Sequence, residues 1–425
     1  MKILSKKLFF RLHSWIGVQL SILFFIVCLA GTLATLSSEY DWLFFPEVSA
    51  VDTGQKASYN DMVSNIKKVH PNGRIASFFN PDETYLCNIV QVFNNKQRYY
   101  AIVNPYSGLV QGSTTITFQR LFRDLHYFLY LPFKIGTYTV LFFGFILLIS
   151  SITALYFYKN WWKKLFDSKV GKGKLLFYRS LYRFVSVWSV PFAILFSITG
   201  IWYFSERTDV GNIQENSNTS SPVAMLANKN KKFEKLDCFT LDYDKAVKIS
   251  EQAIPNLKVK TITPPRETKK FGYLMGKIDV PLARNGANQV FLHPLDYSVL
   301  KTQEAIKISK IAWLNDVADP LHFGNWGGLI TKISWFIDGM AISSLILTGI
   351  WMYTKRTSKR KKKKAKIWLY LNWSIVAGIN FYMFKSLGNR YLASDKFLLI
   401  LSLFILISIF LTWYLFIKKI KTIQN

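Results

Sequence analysis

Long apolar stretches alternate with polar segments along the chain, and they predict six membrane-spanning helices. The stretches cover residues 8–36, 135–158, 184–204, 333–353, 367–384 and 397–417. About 20 residues of apolar helix cross a hydrocarbon core of roughly 30 Å, and each stretch meets or approaches that length. The chain is therefore predicted to be a polytopic α-helical membrane protein.

Two long polar segments, 39–123 and 205–319, have patterns typical of small α+β domains. In each segment, an amphipathic helical pattern that ends before a proline is followed by alternating polar and apolar residues, as in half-buried strands. The helical patterns cover 59–70 and 243–254, and the clearest strand patterns cover 97–103 and 288–292. We therefore expect two small α+β domains outside the membrane.

The net charge of +29 is concentrated at the ends of the predicted spans. Residues 1–11, 158–183, 354–366 and 418–421 hold four, eight, nine and three Lys/Arg residues, respectively. These segments are the two ends of the chain and every second connection between spans. The positive-inside rule expects this pattern for six spans with both termini in the cytoplasm. The charge therefore indicates topology in a lipid bilayer, not nucleic-acid binding, and it assigns both α+β segments to the extracytoplasmic side.

The chain also contains an internal duplication. The motif RLHSWIG at 11–17 opens the first span, and at an offset of 169 residues Gly31 corresponds to Gly200. The motifs DLHYF at 124–128 and PLHFG at 320–324 precede the second and fourth spans. A unit of span, polar segment and span therefore occurs twice, and the last two predicted spans have no counterpart.

Together these motifs resemble the PepSY-associated transmembrane family. The resemblance covers residues 8–356 and includes the Thr-Gly span ends and the turn NPYSG at 104–108. That family includes iron-regulated inner-membrane proteins and haem-containing ferric-siderophore reductases. The resemblance therefore implies PepSY-like outer domains, a location in the bacterial inner membrane and a haem cofactor.

Three of the five histidines, His13, His126 and His322, stand where long apolar helices begin. Neutral imidazole is a common axial ligand of haem iron, and facing helices can supply one ligand each. His126 and His322 occupy equivalent positions in the two halves, so we predict that they ligate one b-type haem near the outer surface. The alternative for each is an interfacial histidine hydrogen-bonded to a backbone carbonyl or a lipid headgroup.

His13 is expected at the cytoplasmic face, and its counterpart in the second half is Tyr182, where the family pattern favours histidine. Tyrosinate can ligate haem iron, although it is an uncommon ligand for a low-potential electron carrier. Three possibilities stay open for a second, inner haem. His13 ligates it with Tyr182 or nothing opposite, another residue serves, or the inner site is vacant.

An outer haem would allow the outer domains to present a ferric chelate or siderophore for reduction, because Fe(II) is held less tightly by hard oxygen ligands. The sequence contains no nucleotide or flavin fingerprint, so a separate electron donor is expected. The competing class is a non-catalytic membrane protein whose PepSY domains bind peptides, envelope components or a protease. A transporter is disfavoured because no predicted span carries a charged residue at mid-depth.

Overall fold

The computed structural model describes residues 13, 20–95, 97–158, 160–164, 166, 174–214, 236–266, 272–278, 280, 282–356 and 359–412. The chain divides into two compact units. The first, the membrane unit, comprises Met1–Ala34, Arg120–Ile201 and Phe336–Asn425. The second, the sheet unit, comprises Thr35–Gln119 and Trp202–Trp335.

The α-helices in the described residues follow the apolar and amphipathic patterns of the sequence. In chain order they are α1 (Ser21–Thr35), α2 (Ser37–Phe44), α3 (Tyr59–Val69), α4 (Phe118–Phe128), α5 (Phe133–Phe157), α6 (Lys174–Arg207), α7 (Tyr243–Ala253), α8 (Lys310–Phe323), α9 (Gly328–Arg356), α10 (Lys359–Asn389) and α11 (Asp395–Thr412). Short helices, α4 and α8, precede α5 and α9 in the two halves of the duplication.

Among the described residues, three helices are long and apolar enough to cross a membrane. They are the segments Phe133–Tyr156 in α5, Phe177–Arg207 in α6 and Gly328–Ile350 in α9. A fourth span exists if α1 and α2, which meet at a bend of 67°, form one span. A multi-pass membrane protein is therefore supported. The predicted spans at 367–384 and 397–417 begin within α10 and α11, and the total of six stays a prediction.

Close backbone contacts at glycines join the two halves of the duplication within the membrane unit. A methyl group at Gly144 of α5 would lie 3.2 Å from backbone atoms of Gly200 and Ile201 in α6. A methyl group at Gly339 of α9 would overlap the hydroxyl of Thr32 in α1. Gly144 is equivalent to Gly339 in the duplication, and Ile201 is equivalent to Thr32. The second span of each half therefore packs against the first span of the other half.

In the described part of the sheet unit, eight strands form one antiparallel sheet. The strands are β1 (Arg74–Phe79), β2 (Asn88–Asn94), β3 (Gln97–Val103), β4 (Val110–Thr114), β5 (Lys258–Thr263), β6 (Gly272–Lys277), β7 (Asn288–Leu292) and β8 (Val299–Gln303). Their spatial order is β4-β3-β2-β1-β5-β6-β7-β8, so each half supplies a four-stranded meander. The halves join where Phe78 of β1 lies opposite Ile262 of β5.

Helices α3 and α7 cap each other at their N-termini. The backbone N–H of Tyr59 donates to Asp244 Oδ1 over 2.7 Å, and that of Tyr243 donates to Asn60 Oδ1 over 2.8 Å. Tyr59 is equivalent to Tyr243, and Asn60 is equivalent to Asp244. The two hydrogen bonds are therefore equivalent under the duplication. Buried side chains of both halves also share one hydrophobic core. The two segments expected as separate domains are therefore halves of a single α+β domain.

Candidate functional site

His126 lies in α4, where it is held against the backbone of α1. Its Nδ1 lies 2.8 Å from the carbonyl oxygen of Val27. Gly31 lies directly against the ring, because a methyl group there would be 2.7 Å from Cε1 and 2.8 Å from Nδ1 of His126. Any side chain at residue 31 would displace the imidazole. Gly31, which marks the duplication, therefore leaves the space that the His126 ring occupies.

The bond to Val27 determines which nitrogen of His126 carries the hydrogen. A carbonyl oxygen only accepts, so Nδ1 donates, and in a neutral ring the lone pair is then on Nε2. Burial lowers the pKa of His126, with the Val27 carbonyl acting in the opposite direction, and this favours the neutral ring. Metal-binding histidines commonly have such a second bond. A purely structural histidine can form the same bond, so this contact fits both predicted roles.

A buried carboxylate fixes α4 two residues before His126. Asp124 is 1% exposed, accepts a hydrogen bond from the Tyr391 hydroxyl over 2.6 Å and pairs with Arg120 at 2.7 Å. Tyr391 lies in the connection between α10 and α11. The connected helices α10 and α11 are therefore attached to the helix that carries His126. Sequence reasoning missed this link because the two partners are 267 residues apart.

His322 lies in α8, within the sheet unit, and aromatic side chains hold its helix. Its ring meets Tyr203 edge-on, with ring centroids 5.3 Å apart. The hydroxyl of Tyr203 donates to Asp319 Oδ1 over 2.8 Å. The indole N–H of Trp335 donates to the carbonyl oxygen of Leu321 over 2.8 Å. Residues of α6 and α9 thus fix the helix at and just before His322.

His13 and Tyr182 both lie in the membrane unit. The Nδ1 atom of His13 is 3.2 Å from the carbonyl oxygen of Ser150 in α5. This repeats the arrangement at His126, in which a backbone carbonyl engages Nδ1. Tyr182 packs beside Gly349 of α9, where a methyl group would lie 3.8 Å from the Tyr182 ring. The three possibilities for an inner site stay open.

The four predicted site residues are divided between the units. His13, His126 and Tyr182 belong to the membrane unit, whereas His322 belongs to the sheet unit. In the part of the chain that the structure describes, no group of three or more His, Cys, Asp or Glu side chains could hold a metal ion. Axial ligation of haem iron uses at most two side chains, so it does not require such a cluster. The pairing of His126 with His322 stays a prediction.

A family model covers both halves of the duplication. The family model of the PepSY-associated TM region matches residues 10–356. The chain belongs to the PepSY-associated transmembrane family. No curated protein matches the sequence. The resemblance predicted from the sequence is therefore confirmed at the level of the family.

The region that matches the PepSY-associated transmembrane family ends at Arg356, the last residue of α9. It contains all four predicted site residues, whereas Tyr391 lies beyond it. The bond from Tyr391 to Asp124 therefore connects the family region with a helix pair that follows it.

Proposed function

We propose that this protein is a haem-dependent reductase of the bacterial inner membrane that passes electrons to an extracytoplasmic ferric chelate. The proposal rests on the resemblance of the sequence to haem-containing reductases, and the ring of His126, which packs on Gly31 and donates from Nδ1 to Val27, fits it. A neutral imidazole so oriented, with its lone pair on Nε2, fits an axial ligand of haem iron. Haem b, when bound, would supply one-electron transfer at that iron.

The residues of the chain have distinct roles in this proposal. His126 and His322 would hold the outer haem, and Gly31 leaves room for the His126 ring. Asp124 and Tyr391 keep α4 in place through their buried hydrogen bond. His13 is the proposed ligand of an inner haem, with Tyr182 or nothing opposite.

The proposed reaction reduces chelated Fe(III) to Fe(II) by one electron, which weakens hard-oxygen chelation and frees the metal. A separate donor supplies the electron. In this topology both termini are cytoplasmic, and the sheet unit faces the extracytoplasmic side, where the ferric chelate or siderophore arrives.

The absorption spectrum of the full-length protein in detergent tests the proposal. Reduced protein should show b-type bands, and a pyridine assay should give one haem per chain, or two if the inner site is filled. His126→Ala and His322→Ala should each abolish the outer haem bands. His293→Ala is the matched control, because His293 lies in the turn after β7 and pairs with Asp296 at 3.0 Å.

Misfolding of a histidine variant must be distinguished from loss of a ligand. Added imidazole should restore the bands of His126→Ala if the ring is an axial ligand, and a merely structural histidine would show no such rescue. A colourless wild-type protein of full thermal stability would contradict the reductase and favour the non-catalytic binding protein.

A further inference from the structure

A cavity of about 880 Å³ lies in the sheet unit, where the two halves of the sheet meet. Its wall combines the segment that follows β1 with residues of β5 and β6. The charged side chains in this wall are Lys56, Lys258, Lys260, Lys277, Asp82 and Glu83. The volume is in the range of small-molecule sites, roughly 300–1,000 Å³. Lysines outnumber carboxylates, so the wall carries a net positive charge.

Both carboxylates of the wall are already engaged by lysines. Asp82 lies between Lys260, at 2.8 Å, and Lys277, at 2.7 Å. Glu83 pairs at 2.6 Å with Lys332, which lies outside the cavity wall. The exposed side chains of Lys56 and Lys258 add further positive charge. The cavity is therefore suited to a ligand that carries several negative charges.

The duplication provides an internal comparison for this cavity. Its residues Asn80 and Pro81 are equivalent to Pro264 and Pro265, which line a pocket of about 30 Å³ in the second half. The described lining of that small pocket is mostly apolar and includes no lysine. Among the described residues, the pocket at the equivalent position is therefore small and has no lysine in its lining, so the open, charged cavity is not repeated by the duplication.

We infer that the lysine-lined cavity binds the anionic ferric chelate, a multiply charged complex with carboxylate oxygens on its surface. The presence of iron in the ligand rests on the proposed function, whereas the preference for an anion rests on the lysines. A lysine ammonium group is a compact charge on a flexible side chain. The lysines can therefore reach carboxylate oxygens at different positions on such a complex. Asp82 holds two of these ammonium groups in the wall.

Gallium(III) citrate is a suitable probe, because Ga(III) resembles Fe(III) in charge and is not reduced. Its binding to the full-length protein in detergent is measured by titration calorimetry. The double variant Lys56→Glu/Lys258→Glu reverses two charges and leaves the contacts of Asp82 intact. It should raise the Kd at least tenfold. Lys248→Glu, on the exposed face of α7 and outside the cavity wall, should change the Kd less than twofold.

The outcomes separate this inference from the reductase proposal. Charge-dependent gallium citrate binding by a colourless protein would support the anion site and contradict the reductase. A haem-containing protein in which the double variant binds gallium citrate and reduces ferric citrate like wild type would overturn the cavity assignment alone. Citrate without metal binding as tightly as the chelate would overturn the assignment of a chelate.

Discussion

The hydroxyl of Tyr391 donates to the buried carboxylate of Asp124 over 2.6 Å, which ties the connection between α10 and α11 to the helix of His126. Hydrogen bonds to charged groups contribute about 1.5–3 kcal/mol, and loss of this one leaves Asp124 with its arginine partners. Tyr391→Phe should therefore lower the Tm of the detergent-solubilised protein. It should also shift the bands of an outer haem.

The matched control for this prediction is Tyr382→Phe. Tyr382 lies in α10 and is 45% exposed, so removal of its hydroxyl should leave the Tm unchanged within about 1 °C. Equal Tm values for the two variants would show that the Asp124 contact adds nothing measurable to stability.

Gly31→Ala should displace the ring of His126, since the new methyl group would lie 2.7 Å from its Cε1 atom. Overpacking of this kind costs about 1–3 kcal/mol. We expect a lower Tm and loss or weakening of the outer haem bands. Gly378→Ala in α10 is the control, because open space surrounds residue 378 and alanine favours helix by about 1 kcal/mol. Unchanged bands in Gly31→Ala would argue against His126 as a ligand.

The duplication and most helices could be predicted from the sequence, because hydropathy and repeated motifs are local patterns. The pairing of β1 with β5 could not, because alternation predicts a strand without naming its neighbour. The same applies to Lys332, which pairs with Glu39 and Glu83 at sequence separations of 293 and 249 residues.

The candidate site shows the same limit. The histidines at 126 and 322 were found from their matching positions, and the glycine at 31 from its counterpart at 200. Their chain neighbours gave no indication of Tyr391 or of the lysines in the cavity wall. Those contacts depend on tertiary packing between distant segments.

Gly324→Ala should destabilise the sheet unit beside His322. Gly324 has φ +68°, a left-handed conformation, and a methyl group there would also overlap the indole of Trp335. Gly328→Ala separates the two costs, because Gly328 has φ +65° but lies in open space. The backbone cost is about 1–2 kcal/mol for each variant, so the larger Tm loss expected in Gly324→Ala measures the packing of Trp335. Equal Tm losses in the two variants would show that Trp335 moves away from the new methyl group at no measurable cost in stability.

The stability of the protein should depend on Asp316 between about pH 4 and pH 6. Burial raises the pKa of Asp316 from 3.8 to about 6, despite its pairing with Arg284 at 2.5 Å. In this window the folded state keeps a proton that the unfolded state has lost, so the free energy of unfolding falls as pH rises. Above pH 6 the contribution is constant. The Tm of wild type relative to Asp316→Asn should therefore decrease from pH 4 to pH 6, and parallel curves would contradict the assignment.

Asp82→Asn should strengthen binding of gallium citrate to the lysine-lined cavity. The pKa of Asp82 lies below its usual value, because its bonds to Lys260 and Lys277 outweigh the effect of burial. Asp82 is therefore ionised at neutral pH and cancels part of the positive charge. Its removal should lower the Kd roughly threefold or more, from the Coulomb energy of charges several ångströms apart in water.

The control for this variant is Asp209→Asn, which removes one negative charge from an exposed residue after α6 that does not line the cavity. It should change the Kd much less than Asp82→Asn, because solvent and salt weaken the effect of a charge outside the cavity wall. A higher Kd in Asp82→Asn would mean that Asp82 mainly positions the two ammonium groups, and that this positioning outweighs its competition with the ligand.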